Sequence, residues 1–138
     1  MRVVVPREIK EGEKRVALVP DVINKLTRLG LEVIVEAGAG VHSQATDADF
    51  STAGATIKQG DALAEADVVL SVQPLTPKQM ATLKKGAITI SFLSPVTAVD
   101  SIDAAAAAGV TAFSLELVPR ISRAQSMDAL TSQALCAG

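Results

Sequence analysis

The amino-acid sequence predicts an α/β domain in which a mostly parallel sheet carries helices on both faces. Short runs rich in valine, isoleucine and alanine recur along the 138 residues, as is typical of strands buried in a parallel sheet. Segments with helix start and stop signals separate these runs. The alternation continues up to the polar C-terminal stretch without an internal repeat, so we expect a three-layer architecture.

Six apolar runs are predicted to be strands. Each is too short for a core helix and is bounded by charged, glycine or proline residues. The first two runs are rich in β-branched residues, which favour a pleated, buried strand. In chain order the predicted strands are Arg2–Pro6, Leu31–Ala37, Ala55–Ile57, Ala66–Val72, Ala87–Leu93 and Val110–Leu115.

Helix signals lie between these runs. Pro20 and Asp21 open a helix with apolar residues at helical spacing, and Gly30 supplies its stop. A capping box with proline at the first helical position begins at Thr76. A short helix is predicted to start within Thr46–Asp49, and a longer one runs from Thr97–Asp100 through an alanine run to a glycine.

Composition excludes several classes of function. The formal net charge is −2, aromatic residues make up 2%, and tryptophan and tyrosine are absent, so neither a basic field nor base stacking favours nucleic-acid binding. No signal peptide or apolar stretch of membrane-spanning length is visible, and we expect a cytoplasmic domain. Cys136 is the single cysteine, which fits a reducing compartment, and we predict that it is a small buried apolar residue.

Two features that suggest sites have simpler interpretations. Gly38-Ala39-Gly40 begins like a dinucleotide fingerprint, but the third glycine position would be Ser43, so we predict a tight turn. His42 is the only histidine and is predicted to be a solvated loop residue, and we predict no metal site. Arg15 is the last residue of the charged loop Arg7–Arg15, and the sequence is compatible either with a solvated side chain or with one that points into a cleft.

Polar residues concentrate in Val118–Gln133. Ser122 and Gln125 have capping-box spacing, which predicts a helix start whose free N–H groups could meet a ligand. An ion pair of Arg120 or Arg123 with Asp128 would explain part of the stretch structurally. The remaining amides and hydroxyls suit hydrogen bonds to an amide or a ribose. No group there titrates near neutral pH, which disfavours proton transfer and favours hydride chemistry on a bound cofactor.

Several stretches resemble a known family over essentially the whole chain. They are Val5–Glu8, Glu13–Pro20, Glu36–Gly40, Asp49-Phe50 with Ala53–Ala55, and Arg120–Leu130. They look like the NAD(H)-binding, alpha-type subunit of the proton-translocating NAD(P) transhydrogenases, within the alanine dehydrogenase/transhydrogenase family. The first two stretches are shared with alanine dehydrogenases, whereas the last is far more specific to transhydrogenases.

The resemblance implies a Rossmann-like or flavodoxin-like half of a two-domain subunit. Residues 1–138 would be its N-terminal domain, and we expect the NAD-binding Rossmann domain that follows in the family to be absent from this chain. Arg120, Gln125, Asp128 and Thr131 would lie near the nicotinamide, with threonine replacing the family's serine. Arg120, Gln125 and Asp128 would act in catalysis, with an Arg120–Asp128 ion pair fixing the loop.

The resemblance also implies a reaction and partners. Hydride would pass between NAD(H) and NADP(H), coupled to proton translocation, with NADP(H) held by a partner domain. We therefore expect an enzyme component that forms a homodimer, lies peripheral to the inner or plasma membrane through its partner subunits, and is inactive by itself. Two alternatives stay open: an alanine-dehydrogenase-like oxidoreductase, and a non-catalytic docking or dimerisation module. Gln73 and Ser94, at strand ends where an alanine dehydrogenase needs lysine and histidine, disfavour the former.

Overall fold

Six parallel strands form one sheet in the computed structural model, which describes residues 1–138. The spatial order is β3-β2-β1-β4-β5-β6, and every neighbouring pair is parallel. The predicted sheet is thus confirmed. The strands are β1 (Arg2–Val5), β2 (Glu32–Glu36), β3 (Thr56–Lys58), β4 (Val68–Leu70), β5 (Ile88–Ser91) and β6 (Thr111–Ser114).

Five helices connect or follow the strands. The threonine hydroxyls of Thr46 and Thr76 both cap helices through complete capping boxes, so the predicted box at Thr76 is confirmed. None of the helices combines the length and apolar character needed to cross a bilayer. The helices are α1 (Pro20–Arg28), α2 (Asp47–Thr52), α3 (Pro77–Thr82), α4 (Val99–Ala108) and α5 (Ala129–Ala137).

Two separate apolar clusters show that both faces of the sheet are covered. Val4 belongs to one cluster, with Met80 and Ala105, whereas its neighbour Val5 belongs to the other, with Ile23 and Phe50. Successive residues of a strand point to opposite faces. Helices α3 and α4 therefore cover one face, and α1 and α2 cover the other, which confirms the three-layer prediction.

The C-terminal segment departs from prediction. Ser122–Met127 forms 3₁₀ turns without a side-chain cap, and the α-helix begins only at Ala129. The predicted capping box of Ser122 and Gln125 is therefore wrong. Cys136 is exposed, because no residue of α5 is buried against the core, and its predicted burial is also wrong.

Ion pairs gather where the strands begin. Arg2 contacts Glu32 and Glu65 at 3.0 and 3.3 Å, and its backbone N–H donates to Asp67 at 2.6 Å. Lys84 reaches the same Asp67 carboxylate at 2.6 Å. These contacts join the amino ends of the central strands. The carboxyl ends carry a different set of groups.

Candidate functional site

The strand order creates a crevice at the carboxyl ends of β1 and β4. Chain connections leave these two neighbouring strands in opposite directions, and such a switch point is where doubly wound sheets bind ligands. Glu8, just beyond β1, spans the crevice: its carboxylate accepts the N–H groups of Val72 and Gln73 at 2.6 and 3.2 Å. Burial raises the pKa of the Glu8 carboxyl despite these hydrogen bonds.

A second carboxylate, Glu13, organises the loop that follows. The Arg15 guanidinium donates to both of its oxygens, at 2.8 and 2.7 Å, in the bidentate geometry that favours arginine. The Gln73 side-chain amide donates to Glu13 at 2.6 Å and accepts from Lys10 at 3.3 Å. The Arg15 guanidinium is the main reason why the pKa of Glu13 falls to about 2.

Arg15 also joins this loop to the C-terminal helix. Its guanidinium donates to the side-chain oxygen of Gln133 at 3.2 Å and lies 6.0 Å from the centre of the Phe92 ring. That distance is at the limit of a cation–π contact. Of the two interpretations left open by the sequence, the structure supports the one in which Arg15 points into a cleft.

The cleft beneath α5, which we term the α5 cleft, has a volume of about 770 Å³. Its floor is apolar and comes from β4, β5, the segment leading into α1 and the residue after β6. Its rim carries Arg15, Asp128, Ser132 and Gln133. An apolar floor with a few convergent polar groups is typical of small-molecule sites. The floor residues are Val16, Ala17, Val19, Val22, Leu70, Val72, Ile90, Phe92 and Leu115.

Asp128 sits at the junction of the polar loop and α5. Its carboxylate accepts the Thr131 N–H at 3.1 Å and the Thr131 hydroxyl at 2.6 Å, and thus caps the helix. The Thr131 hydroxyl is the main cause of the lowered pKa of Asp128, and the more distant Arg120 charge contributes less. No ion pair joins Arg120 to Asp128, so that prediction is wrong: the cap already engages the carboxylate.

The four predicted site residues thus fall into two groups. Asp128 and Thr131 are in direct contact, and Asp128 lines the α5 cleft. Arg120 and Gln125 are exposed, and neither lines that cleft. The loop therefore presents one fixed carboxylate–hydroxyl pair and two side chains that extend into solvent.

The glycine turn after β2 is confirmed as a structural feature. Gly38 has a φ of +80°, and its N–H donates to Asp47 at 2.8 Å. A Cβ at Gly40 would lie 2.5 Å from the Ala45 carbonyl oxygen and 2.6 Å from the Phe50 ring. His42 is exposed in the short 3₁₀ turn that follows, as predicted.

Ser94 and Gln73 occupy the ends of β5 and β4 in different ways. Gln73 is held by its two side-chain hydrogen bonds. Ser94 adopts a positive φ of 50°, and its N–H donates to the Glu116 carboxylate at 2.5 Å. Glu116 is thus a further residue of this edge that sequence reasoning missed, together with Glu13 and Gln133. The signal that could have found Glu13 is its place in the loop after a parallel strand, since such loops gather at one edge.

Comparison with known proteins gives two groups of relatives. The chain is 46% identical over 145 residues to an NAD(P) transhydrogenase subunit alpha protein of Rhodospirillum rubrum, covering all of this chain and 38% of that protein. It is 38% identical over 120 residues to alanine dehydrogenase of Mycobacterium tuberculosis, covering 86% of this chain and 32% of that protein. The chain therefore spans less than two-fifths of the length of these curated relatives.

Solved structures give the same two groups. The transhydrogenase from Sinorhizobium meliloti superposes with a TM-score of 0.93 at 40% identity, covering 97% of this chain and 40% of that one. An L-alanine dehydrogenase superposes with a TM-score of 0.81 at 27% identity, covering 89% of this chain and 34% of that one. Residues 4–137 match the family model described as alanine dehydrogenase/PNT, N-terminal domain. The chain therefore belongs to the family of alanine dehydrogenase/PNT N-terminal domains.

Proposed function

We propose that this chain is part of the NAD(H)-binding component of a transhydrogenase, which transfers hydride between NAD(H) and NADP(H) and couples the transfer to proton translocation. The observation that carries the proposal is the chemistry at the ends of β4 and β5. Gln73 and Ser94 stand where an alanine dehydrogenase needs lysine and histidine, and neither side chain exchanges a proton near neutral pH. Gln73 is moreover held by Glu13 and Lys10.

The α5 cleft fits part of a nicotinamide cofactor. Its apolar floor suits a flat ring, and its rim supplies donors and acceptors for a carboxamide. When bound, the cofactor supplies the hydride chemistry. The residues of this chain would exclude water from the ring and fix its orientation. In that arrangement Arg15 is a positioning residue, because Glu13 and Gln133 already hold its guanidinium.

The polar loop suits a division of roles among its four residues. The Thr131 O–H already donates to Asp128, so the hydroxyl would offer its lone pairs to an amide N–H. Asp128 would keep the helix start and Thr131 in register. Arg120 and Gln125 extend into solvent, and we propose that Gln125 bridges toward the NADP(H) side while Arg120 contacts the cofactor.

We further propose partners for this component. They are an NADP(H)-binding domain, a membrane component that carries the proton path, and a second copy of the same subunit. The domain would then be peripheral to the inner or plasma membrane and cytoplasmic. The support is the similarity to proteins named as transhydrogenase subunits, together with the solvent-facing Arg120 and Gln125.

The proposal is tested on the full-length subunit assembled with its partner components. We expect NADH-dependent reduction of an NADP⁺ analogue, and no NADH oxidation that depends on pyruvate and ammonia. The converse result would establish the alanine-dehydrogenase alternative. If neither reaction occurs and substitutions at Arg120 and Gln125 change only assembly, the chain is a docking module and the proposal fails.

A further inference from the structure

A second cavity lies on the switch-point side of Gln73 and shares only Ser71 with the α5 cleft. Its volume is about 440 Å³, within the range of small-ligand sites. The loop after β1 forms one wall, the end of β4 a second, and the start of α4 a third. Its lining is mainly polar, and it is separate from the α5 cleft in which the nicotinamide is proposed to bind.

Ser101 is the first sign of a ligand here. The residue is 7% exposed and lines the cavity, and its hydroxyl makes no hydrogen bond within the protein. The hydroxyl oxygen is not fully enclosed by protein atoms, so a ligand in the cavity can reach it. Ser71, which is also buried against this cavity, donates instead to the Gln73 carbonyl oxygen at 2.8 Å. Ser101 is therefore the hydroxyl that remains available to a ligand.

The start of α4 adds partial positive charge to the cavity. The helix is ten residues long, and its N-cap, Ala98, has no side chain that could accept a hydrogen bond. Helices α2 and α3, in contrast, have threonine caps. Thr97, Ala98 and Ser101 all line the cavity. The N–H groups of these three residues already donate to the carbonyl oxygens of Ser94 and Ala98. The helix start therefore contributes the partial positive charge of its dipole, which favours an anion.

Two cations complete the cavity. Arg7 and Lys10 line it, and neither forms an ion pair with a carboxylate. Glu8 also lines the cavity, but both of its oxygens accept backbone N–H groups. Gln79 uses its side-chain oxygen to cap α3, which leaves its NH₂ group to donate. The charged side chains of the lining therefore carry two positive charges against one negative.

We propose that this cavity binds a dianionic phosphate group, either as inorganic phosphate or at the end of a small phosphate monoester. Arg7 and Lys10 provide charge on one side, and Ser101 donates its hydroxyl from the opposite wall. The start of α4 adds the partial positive charge of the helix dipole beside Ser101. A dianion matches two cations and several donors better than a carboxylate does, because it presents more acceptor oxygens.

The test is a titration of the ¹⁵N-labelled 138-residue chain followed by NMR, with ionic strength held constant by NaCl. Inorganic phosphate, glycerol phosphate and acetate are the three probes. Saturable shifts of the amides of Thr97, Ala98 and Ser101 with phosphate or glycerol phosphate support the proposal. The tighter of these two probes identifies whether the ester or the free ion is the ligand. Equal binding of acetate, or shifts scattered over surface lysines, would overturn it.

Matched variants locate the binding. Ser101→Ala should weaken phosphate about 3- to 10-fold, as expected for one hydrogen bond to an anion, whereas Ser51→Ala on exposed α2 should change nothing. Lys10→Gln should weaken phosphate about fivefold through its lost charge, while Lys14→Gln removes the same charge from the same loop outside the cavity. Equal weakening by the two lysine variants would refute the assignment, even if Ser101→Ala failed to fold.

Discussion

Replacing Glu13 by glutamine tests whether the contacts of Glu13 with Arg15 and Gln73 stabilise the loops at the carboxyl ends of the strands. The substitution removes the negative charge that Arg15 contacts in bidentate fashion but keeps one acceptor oxygen. The pKa of Glu13 falls from its ordinary 4.5 to about 2, which corresponds to an upper bound of about 3 kcal/mol of stability at neutral pH. Glu11, exposed in the same loop, supplies the matched control.

Solvent screening reduces this bound. The Glu13 side chain is only 6% exposed, but that of Arg15 is 46% exposed, so part of the attraction acts through water. We therefore expect Glu13→Gln to lower the free energy of unfolding by about 1–2 kcal/mol at pH 7. Glu11→Gln should stay within about 0.5 kcal/mol of the parent chain.

The loss of unfolding free energy in Glu13→Gln should depend on pH in a defined direction. A carboxyl whose pKa is lowered on folding stabilises the native state above its unfolded pKa, and this contribution is lost as the pH falls through the folded pKa. The deficit of Glu13→Gln should be full above about pH 5.5 and below half at pH 3. Urea unfolding at several pH values measures it. A deficit that does not shrink on acidification, or that Glu11→Gln reproduces, would refute the reasoning.

Three further predictions concern single positions. Gly40→Ala should cost about 1–3 kcal/mol because its Cβ would meet Phe50, and a urea midpoint close to that of the parent would contradict the close packing. Asp128→Ala should accelerate amide exchange in α5 while Asp128→Asn does not, since asparagine also caps; identical exchange in both variants would exclude the cap. In the assembled full-length enzyme, Gln125→Asn should slow hydride transfer far more than it weakens NADH binding; an unchanged single-turnover rate in stopped flow would remove its proposed role.

The sheet could be predicted because its signal is local. Runs such as Leu31–Ala37 are rich in β-branched residues and too short for core helices, and a strand of the structure overlaps each predicted run. Strand ends were less accurate, and β4 keeps only Val68–Leu70 of the predicted Ala66–Val72. At the ends of a strand, backbone pairing depends on the neighbouring strands rather than on the propensity of the residues.

The C-terminal segment could not be predicted in the same way. Several residues there are suitable caps, and the sequence alone does not decide between Ser122 and Asp128. In the structure the Asp128 carboxylate reaches Thr131, and this contact fixes the helix start. Burial of Cys136 was expected from its residue type, but burial depends on whether α5 packs on the core, which the residue type does not determine.

The contacts at the carboxyl ends of the strands could not be predicted because they join residues that are distant in sequence. Arg15 and Gln133 are separated by 118 positions, and no spacing pattern indicates such a pair. The sequence shows that Arg15 lies in the loop, but its partners depend on the chain topology. The resemblance suggested Asp128 and Thr131 as site residues, and these two are in contact. It also suggested an Arg120–Asp128 pair that does not form.

The amino ends and the carboxyl ends of the strands carry separate sets of contacts. Arg2, Glu32 and Asp67 secure the strands where they begin, and the crevice and both cavities lie where the strands end. A substitution at the amino ends can raise or lower the thermal stability of the domain without changing a ligand contact. A substitution in the loops at the carboxyl ends can alter ligand choice while β1 and β4 stay in register. Recognition in this domain can therefore diverge among relatives without dismantling the scaffold that supports it.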